Sequence, residues 1–400
     1  LNIVESCFSA KPESTAVVYS TDKGLHRLTY GDLRTRVLRA AASYRAFGIE
    51  SGDRIAISMP MTVESVIAYL ATIWIGAVVV SIADSFTPDE IRMRLEIAQC
   101  YVIVTQDEVH RDGKDLPMYS KVIQAGAERA IVVDTGAGLN LRSEDIRWDD
   151  FLITGGDDSP AYGPPEKMTN ILFSSGTTGT PKAIAWNQLS PIKAAMDGHF
   201  HQDIHPRDVV AWPTNIGWMM GPWLIYAPLI SGASLALYHD TPNACGFGRF
   251  IEQAGVTILG VIPSLVATWR ASGVMENYDW SAIRLFSSTG EASNPTDMSY
   301  LMNLAGGKPV IEYCGGTELS GSYITGTVLH RSIPSQFSTS TLGMDLLVLD
   351  DEYRPTRSGE VFLVPPSIGL SEALLNGDHH DVYYEGVATI DGVKLRRHGA

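Results

Sequence analysis

The first 165 residues alternate between two spacings of hydrophobic positions. Hydrophobic side chains at helical spacing predict helices at 30–47, 63–75 and 89–98. Short β-branched runs between and after them predict strands at 54–59, 78–82, 101–105 and 130–133. Because strands that alternate with helices form parallel sheets covered on both faces, we expect an α/β subdomain over residues 1–165.

The same alternation resumes after a stretch rich in Gly, Asp and Pro at 154–165. It predicts a second α/β subdomain over 166–335, with strands at 208–212, 234–238, 257–261, 285–287 and 310–313. From 336 to 400 the pattern changes to short strands joined by turns, at 342–349, 359–364, 382–384 and 393–395. These predict a small antiparallel β-barrel. The expected fold class is therefore α/β, with two parallel-sheet subdomains and a β-barrel subdomain.

Residues 66–83 form an eighteen-residue stretch without a charged side chain, which is long enough to be considered as a membrane span. Acidic residues, Glu64 and Asp84, flank it, and Gly76 divides it into a helical half and a β-branched half. A buried helix that ends at a glycine and leads into a buried strand explains this pattern better. We therefore predict no membrane span.

The charge balance and the cysteines exclude several classes of protein. Lys and Arg total 30 against 45 Asp and Glu, and the resulting net charge of −15 argues against nucleic acid as a main partner. The four cysteines, Cys7, Cys100, Cys245 and Cys314, form no Cys-x-x-Cys pair, so a structural zinc site is not expected. Isolated thiols fit a reducing compartment, and the first residues lack the pattern of a signal peptide.

Residues 173–182 read Phe-Ser-Ser-Gly-Thr-Thr-Gly-Thr-Pro-Lys and follow a short strand-like run. Glycines, hydroxyls, backbone N–H groups and a lysine together suit a polyphosphate. The candidate ligands are Ser174, Ser175, Gly176, Thr177, Thr178, Gly179, Thr180 and Lys182. A solvated loop is one alternative. A P-loop is another, but Pro181 precedes Lys182 and Ala183 follows it, where a P-loop requires Gly-Lys-Ser/Thr.

Two further segments place chemistry after predicted strands. Gly290, Glu291 and Ala292 follow the strand-like run at 285–287, where parallel sheets bind ligands, although a turn with a capping Glu is an alternative. The second segment is Glu312-Tyr313-Cys314-Gly315-Gly316-Thr317-Glu318. Its Thr317 offers a hydroxyl and its Glu318 a hard oxygen ligand suited to Mg²⁺, although a loop with a surface Glu is again possible on these residues alone.

The stretch at 212–223 is rich in Trp and Met. Most such stretches belong to the core. Gly217 and Gly221 interrupt this one, and methionines such as Met219 give a binding pocket an adaptable wall. Trp218 and Met219 are therefore candidates for a ligand pocket.

The segment Ser174–Lys182 resembles the phosphate loop of the adenylate-forming superfamily, which includes acyl-CoA synthetases, luciferases and peptide-synthetase adenylation domains. The Gly-Glu and Thr-Glu segments follow in the order of that family. The resemblance implies the large N-terminal domain of these enzymes, built from two α/β layers and a β-barrel. It also implies ATP, Mg²⁺, CoA and a small carboxylic acid as ligands.

The resemblance assigns a role to each segment. It implies that Ser174–Lys182, with Lys182 as a catalytic group, binds the β- and γ-phosphates, and that Gly290–Ala292 and Glu312–Gly316 contact the nucleoside. Thr317 would contact the α-phosphate and Glu318 would bind Mg²⁺. One position departs from the family, because Cys314 stands where an aromatic residue usually stacks on adenine. Either Tyr313 stacks instead, or the backbone of residues 314–316 packs against the ring.

The Gly-Trp pair at 217–218 resembles the acyl pocket of acetyl- and acyl-CoA synthetases, which implies that Trp218 and Met219 line the acid pocket. Acetyl-CoA synthetases carry a pocket-capping Trp at the position of Gly315. We therefore expect an acid longer than acetate, with an apolar tail.

Residues 184–186, 212–215 and 312–318 resemble the plant peroxisomal acyl-activating enzymes. The implied location is cytoplasmic, or peroxisomal in a eukaryote. The resemblance also predicts an Asp after Gly399, a hinge and a C-terminal domain of roughly a hundred residues with a catalytic lysine. Since Ala400 ends the chain, we expect nucleotide or acyl-adenylate binding with weak turnover.

The expected activity of the parent enzyme is that of an AMP-forming acyl-CoA synthetase, an acid–thiol ligase. Two alternatives remain open from the sequence. One is an adenylating enzyme that loads a carrier protein or another acceptor, and the other is a non-catalytic nucleotide or acyl-adenylate sensor.

Overall fold

A computed structural model describes residues 1–21, 23–174, 180–242 and 245–399. The helices are α1 (Tyr30–Ala46), α2 (Val63–Trp74), α3 (Pro88–Ala98), α4 (Met118–Gln124), α5 (Trp148–Phe151), α6 (Ser190–Phe200), α7 (Met220–Ile230), α8 (Cys245–Ala254), α9 (Pro263–Ser272), α10 (Pro295–Leu304) and α11 (His379–Tyr383). Short 3₁₀ helices cover Ile3–Phe8, Val274–Asn277 and Thr317–Leu319.

The strands of the first half are β1 (Thr15–Thr21), β2 (Gly24–Thr29), β3 (Arg54–Ser58), β4 (Val78–Ile82), β5 (Val102–Gln106), β6 (Val109–Arg111), β7 (Lys114–Leu116), β8 (Arg129–Val133), β9 (Ile146–Arg147), β10 (Met168–Ser174) and β11 (Lys182–Asn187). Those of the second half are β12 (Val209–Ala211), β13 (Ser234–Leu237), β14 (Ile258–Val261), β15 (Leu285–Ser288), β16 (Val310–Gly316), β17 (Gly321–Thr325), β18 (Thr339–Ser340), β19 (Asp345–Leu349), β20 (Glu360–Val364), β21 (Thr389–Ile390), β22 (Val393–Lys394) and β23 (Arg396–Arg397).

Side-chain caps explain where the first three helices begin. Thr29, Thr62 and Thr87 each accept a hydrogen bond from a backbone N–H in the first turn of α1, α2 and α3. In α2 and α3 the third residue of the helix, Ser65 or Glu90, returns a bond to the cap and completes a capping box. The hydrophobic spacing and the caps therefore agree on these elements.

The charge-free stretch at 66–83 divides as predicted into a buried helix, α2, and a buried strand, β4. Gly76 lies between them with φ +78°, a conformation that favours glycine. Within the described ranges, every helix is too short or too polar to cross a bilayer.

Two large sheets form the α/β framework. The nine-stranded sheet has the order β18-β17-β16-β15-β14-β12-β13-β1-β2, and its central strands are parallel. The seven-stranded sheet has the order β11-β10-β4-β3-β5-β8-β9 and is parallel except for the β10–β11 pair. The largest buried cluster contains residues of both sheets and of α2 and α7, whose Tyr69 and Tyr226 rings meet edge to face at 5.8 Å.

The two sheets exchange strands across the predicted boundary near residue 165. The early strands β1 and β2 belong to the later sheet through the parallel β1–β13 pair. The later strands β10 and β11 complete the earlier sheet, where Asn170 pairs with Val79. A boundary at 165 therefore does not separate the sheets, because hydrophobic pattern identifies strands without identifying their partners.

The predicted β-barrel at the end of the chain is wrong. Over the described residues from 336 to 399, β19, β20 and β23 form an open three-stranded antiparallel sheet, and β21 pairs with β22. The predicted strand at 382–384 is instead the end of helix α11. Asp378 caps this helix by accepting from the N–H groups of His380 and Asp381, and this cap outweighs the β propensity of Val382 and the tyrosines.

Candidate active site

The candidate active site is a cavity of about 1130 Å³ at the carboxyl ends of the parallel strands of the nine-stranded sheet. Trp212 follows β12, Tyr238 follows β13, Ile262 follows β14, and Ser288 ends β15, and all four residues line the cavity. This is the edge where parallel sheets bind ligands. The full lining comprises residues 61, 111, 212–215, 218–220, 238–242, 262, 288–293, 312–317, 335 and 337.

Thr317 and Glu318 lie at the tip of a hairpin formed by β16 and β17. The indole Nε1 of Trp186, on β11, donates to the Thr317 carbonyl at 2.8 Å. The backbone N–H of Ser371 donates to the Glu318 carbonyl at 2.8 Å. The tip is therefore held from the seven-stranded sheet on one side and from the C-terminal region on the other.

The Glu318 carboxylate is buried and meets both ends of the predicted phosphate loop. Ser174 Oγ donates to Glu318 Oε1 at 3.4 Å, and Lys182 Nζ lies 3.9 Å from the same oxygen. Ser174 and Lys182 are paired at the end of the β10–β11 ladder, which places them at the two sides of the loop. Thr180 is exposed. The remaining predicted ligands, Ser175, Gly176, Thr177, Thr178 and Gly179, lie outside the described residues.

Tyr383 and Arg396 surround Glu318 and were not predicted from the sequence. The Tyr383 hydroxyl donates to Glu318 Oε1 at 3.4 Å, and the Arg396 guanidinium lies 4.1 Å from the centre of the Tyr383 ring. Burial raises the pKa of the Tyr383 phenol, so the hydroxyl stays protonated as a donor. Burial lowers the pKa of Arg396, whose Nη2 donates to Ser371 Oγ at 3.0 Å. The cap residue Asp378 was the sequence signal that could have placed Tyr383 on a helix.

Glu312 lies on β16, the strand that leads to the hairpin tip, and lines the cavity. It is buried and accepts a hydrogen bond from Ser293 Oγ at 2.7 Å. Burial raises the pKa of its carboxyl group. Glu312 therefore offers the cavity a buried carboxyl group that can accept or donate according to its protonation.

Gly290, Glu291 and Ala292 line the same cavity, as predicted from their position after β15. Gly290 has φ +92°, which favours glycine at this turn. The Glu291 carboxylate accepts from the backbone N–H of Ser264 at 2.9 Å and from its hydroxyl at 3.0 Å. Glu291 thus caps helix α9, so the capping alternative describes its side chain, and its backbone is the part available to a ligand.

The ring of Tyr313 is buried beneath the cavity wall. It is 1% exposed, its hydroxyl donates to Asp197 Oδ2 at 2.7 Å, and it meets the Trp223 ring edge to face at 6.0 Å. The ring therefore makes its contacts within the core, whereas Cys314, Gly315 and Gly316 line the cavity beside it. The position of an adenine ring at this wall stays a prediction.

Trp218 and Met219 line the cavity. Trp218 is 49% exposed and meets the Phe86 ring at 6.0 Å. Beside them, Asp84 accepts from Arg111 Nη2 at 2.7 Å and from Asn215 Nδ2 at 3.1 Å. The arrangement gives an apolar wall bordered by a paired, charge-compensated polar group.

Gly315 requires a correction to the argument about pocket size. A Cβ on Gly315 would lie 1.9 Å from the carbonyl oxygen of Gly321, in the paired strand β17. In this backbone a side chain at 315 would strike β17 instead of filling the cavity. The glycine is needed for the close approach of the two strands. The size of the predicted acid pocket therefore depends on the other walls of the cavity.

Among the described residues, no group of three or more His, Cys, Asp and Glu side chains could hold a metal ion. A cation at this site would therefore take most of its ligands from a substrate or from water.

The comparisons with known proteins agree with this geometry. The model of the AMP-binding enzyme family matches residues 4–368. Hexanoyl-CoA synthase of Cannabis sativa is 45% identical over 420 aligned residues, which cover 100% of this chain and 58% of that protein. Probable acyl-activating enzyme 17, peroxisomal, of Arabidopsis thaliana is 48% identical over 393 residues, which cover 95% of this chain and 54% of that protein. The chain thus spans little more than half the length of these relatives.

A solved structure shows the same fold. Acetoacetyl-CoA synthetase from Streptomyces lividans superposes with a TM-score of 0.88 at 26% identity, over 99% of this chain and 64% of that one. The resemblance that the phosphate-loop, Gly-Glu and Thr-Glu segments indicated is confirmed: this chain belongs to the AMP-binding enzyme family.

Proposed function

We propose that this chain is the nucleotide- and acid-binding part of an ATP-dependent acyl-CoA synthetase. The observation that carries the proposal is the meeting of Glu318 with Ser174 at 3.4 Å and Lys182 at 3.9 Å, next to Thr317, which lines the cavity. A lysine at one side of a hydroxyl-rich loop and a carboxylate from the facing hairpin provide opposite charges for a polyphosphate and its metal ion.

The proposed reaction has two steps. A carboxylate oxygen of the acid attacks the α-phosphorus of ATP, a P–O bond to the bridging oxygen breaks, and pyrophosphate leaves. The CoA thiolate then attacks the acyl carbon, and AMP leaves with the electron pair of the mixed anhydride. The first step needs no proton transfer, so the residues act by positioning and by charge neutralisation.

Each described residue has a place in that step. Lys182 and Ser174 would bind the phosphates that leave, and the Thr317 hydroxyl would donate to an oxygen of the α-phosphate. The backbone at 290–292 and 314–316 would pack against the nucleoside, with Glu312 as a hydrogen-bond partner. The burial and the contacts of these groups support the assignment.

Glu318 is the residue that would hold Mg²⁺. Its Oε1 is engaged by Ser174, Lys182 and Tyr383, so Oε2 is the oxygen we assign to the metal. Mg²⁺ is commonly bound by one or two carboxylates together with substrate phosphates and water, and this donor set of hard oxygens fits that habit. When bound, Mg²⁺ would neutralise charge on the phosphates.

The acid would lie against Trp218 and Met219. Ligand pockets commonly enclose about 300–1,000 Å³, and the cavity of about 1130 Å³ therefore has room for a nucleotide and a further apolar chain. The name of one relative, hexanoyl-CoA synthase, supports an acid of medium length. The word peroxisomal in the name of another supports a peroxisomal location if the source is a plant.

The test is acid-dependent release of pyrophosphate by the full-length protein, with straight-chain acids from acetate to octanoate. We expect medium-chain acids to exceed acetate, and CoA to be a better acceptor than a pantetheinylated carrier protein. Glu318→Ala should abolish release while the circular dichroism spectrum stays unchanged, and Glu276→Ala, at an exposed position, serves as the matched control.

The outcomes separate the alternatives. Turnover with the carrier protein alone would favour an adenylating enzyme of the carrier-loading kind. ATP binding without pyrophosphate release for any acid would favour the sensor, and normal release by Glu318→Ala would refute the metal assignment.

A further inference from the structure

A buried ion pair lies directly beneath the hairpin that carries Thr317 and Glu318. Lys193 and Asp197, one turn apart on α6, have side chains 0% and 1% exposed, and Lys193 Nζ donates to Asp197 Oδ1. Burial lowers the pKa of Lys193. Because removing two charges from water offsets most of their attraction, such a pair adds little net stability compared with apolar packing. The position of the pair beneath the hairpin indicates a role other than stability.

The second carboxylate oxygen of Asp197 joins the two strands of the hairpin. Oδ2 accepts from the Tyr313 hydroxyl at 2.7 Å, from the Ser322 N–H at 2.9 Å and from the Ser322 hydroxyl at 3.2 Å. Tyr313 lies on β16 and Ser322 on β17. Tyr313 is four residues before Thr317, and Ser322 is four residues after Glu318. Asp197 therefore clamps both strands at an equal distance from the tip.

The backbone of β17 is shaped to admit this carboxylate. A Cβ on Gly321 would lie 2.4 Å from Asp197 Oδ2, so a side chain there would displace the clamp. Lys193 Nζ also donates to the Ser322 carbonyl at 3.0 Å, and Ser322 Oγ lies 2.6 Å from Thr341 Oγ1. Each group around the pair therefore makes a specific contact to the hairpin.

Helix α6 also connects the clamp to the phosphate loop. It follows β11, the strand that begins with Lys182 and carries Trp186, whose indole donates to the Thr317 carbonyl. The same short segment of chain thus fixes the loop side and the hairpin side of the site.

We propose that Asp197 is a positioning residue for Thr317 and Glu318, which acts through the β16–β17 hairpin that it clamps. This inference rests on the proposed function, since it assigns a purpose to the geometry of a Mg²⁺·ATP site. It concerns α6 and the base of the hairpin, outside the residues that would contact the ligands.

The experiment is calorimetric titration of the 400-residue chain with ATP, with and without Mg²⁺, and with AMP in the absence of metal. The ratio of the two ATP dissociation constants is the Mg²⁺ enhancement. Since one hydrogen bond is worth about a two- to tenfold change in binding, we expect Asp197→Asn to lower the enhancement by about tenfold. AMP affinity should fall less than the affinity for Mg²⁺·ATP, because Gly290–Ala292 of the nucleoside wall lie outside the hairpin that Asp197 clamps.

A matched control and a milder variant accompany it. Asp208 is a buried carboxylate that binds Arg284 and Thr257 at the opposite ends of the strands, before β12 and β15. Asp208→Asn should destabilise the fold without changing the enhancement. Tyr313→Phe removes one hydroxyl from the clamp and keeps the ring, so it should lower the Mg²⁺ enhancement by about two- to fivefold. If Asp197→Asn does not fold, this variant tests the positioning role by itself.

The results distinguish this inference from the proposed function. The positioning role is overturned if Asp197→Asn and Tyr313→Phe both keep the wild-type Mg²⁺ enhancement, or if Asp208→Asn loses as much of it as they do. In either case, ATP binding by the wild type still supports the proposed function. A wild-type chain that binds no ATP refutes the proposed function and this inference with it.

Discussion

The two neighbouring glycines of the hairpin should respond differently to the same methyl group. A Cβ on Gly315 would lie 1.9 Å from the Gly321 carbonyl oxygen and 2.6 Å from Ser322 Cα, both in the backbone of β17. A Cβ on Gly316 would meet only the end of the Glu318 side chain, at 3.0 Å from Oε2. Gly316 has φ −165° and ψ 168°, an extended conformation that alanine adopts freely.

The geometry sets the size of each effect. Ordinary contact begins near 3.4 Å, so Gly315→Ala forces the two strands apart by more than 1 Å at this point. Overpacking of this kind costs about 1–3 kcal/mol, and a broken ladder hydrogen bond adds about 1 kcal/mol. We expect Gly315→Ala to lose about 2–4 kcal/mol of unfolding free energy. Gly316→Ala should stay within about 0.5 kcal/mol of the wild type, because the flexible carboxylate of Glu318 can shift.

The effect of Gly316→Ala should appear in binding instead of in stability. Moving the Glu318 carboxylate by a few tenths of an ångström disturbs the group assigned to Mg²⁺. Gly316→Ala should therefore weaken Mg²⁺·ATP binding by about three- to tenfold while AMP binding is retained. Urea unfolding followed by circular dichroism and calorimetry of ATP binding measure the two quantities. Equal stability of Gly315→Ala and the wild type, or a larger stability loss in Gly316→Ala, would refute the reasoning about the strand approach.

Three further predictions concern carboxylates of the site. Tyr383→Phe removes the hydroxyl that donates to Glu318 Oε1. Because this hydrogen bond is long, we expect the affinity for Mg²⁺·ATP, measured by calorimetry, to weaken by only about two- to fivefold, with an unchanged circular dichroism spectrum. An affinity equal to that of the wild type would show that the contact is incidental. Burial raises the pKa of Glu312 above 4.5, so its contribution to stability is present below that pH and lost as the pH rises through the raised value. Glu312→Gln should therefore gain stability relative to the wild type as the pH rises from 4.5 in urea titrations, and a pH-independent difference would contradict this. Glu291→Ala removes the cap on Ser264 and should cost about 1 kcal/mol of unfolding free energy while AMP affinity changes less than about twofold, whereas a large loss of AMP affinity would return the carboxylate to the nucleoside wall.

The sequence was sufficient where local chemistry decides the structure. The hydrophobic spacing at 89–98, and the change from helical to β-branched pattern around Gly76, predict elements that the structure contains. The sequence did not predict which strands pair. The pairing of β1 with β13 joins residues more than 200 positions apart, and hydrophobic alternation carries no information about such partners.

The same division holds within the site. The Thr317–Glu318 segment follows a strand and could be expected at the edge of a parallel sheet. Tyr383 could not be associated with Glu318, because the two are 65 residues apart and Tyr383 belongs to a pattern that favours a strand. Gly315 is the converse case. The sequence marked this glycine as unusual, but the reason for it is the close approach of β16 and β17, which only the structure shows.

The distances around the hairpin suggest how stability and adaptability are divided within it. At its base, Asp197 accepts bonds of 2.7 and 2.9 Å from buried donors, lengths typical of well-formed hydrogen bonds. At its tip, Ser174 and Tyr383 reach Glu318 at 3.4 Å, near the limit of hydrogen bonding. Long bonds restrain the direction of the Glu318 carboxylate without fixing its position, whereas the backbone of the tip accepts 2.8 Å bonds from Trp186 and Ser371. The carboxylate is therefore held less tightly than the base of the hairpin. Under the proposed function, the site would hold a polyphosphate while its terminal phosphates leave, and this division would serve catalysis because the transition state must be bound more tightly than the substrate.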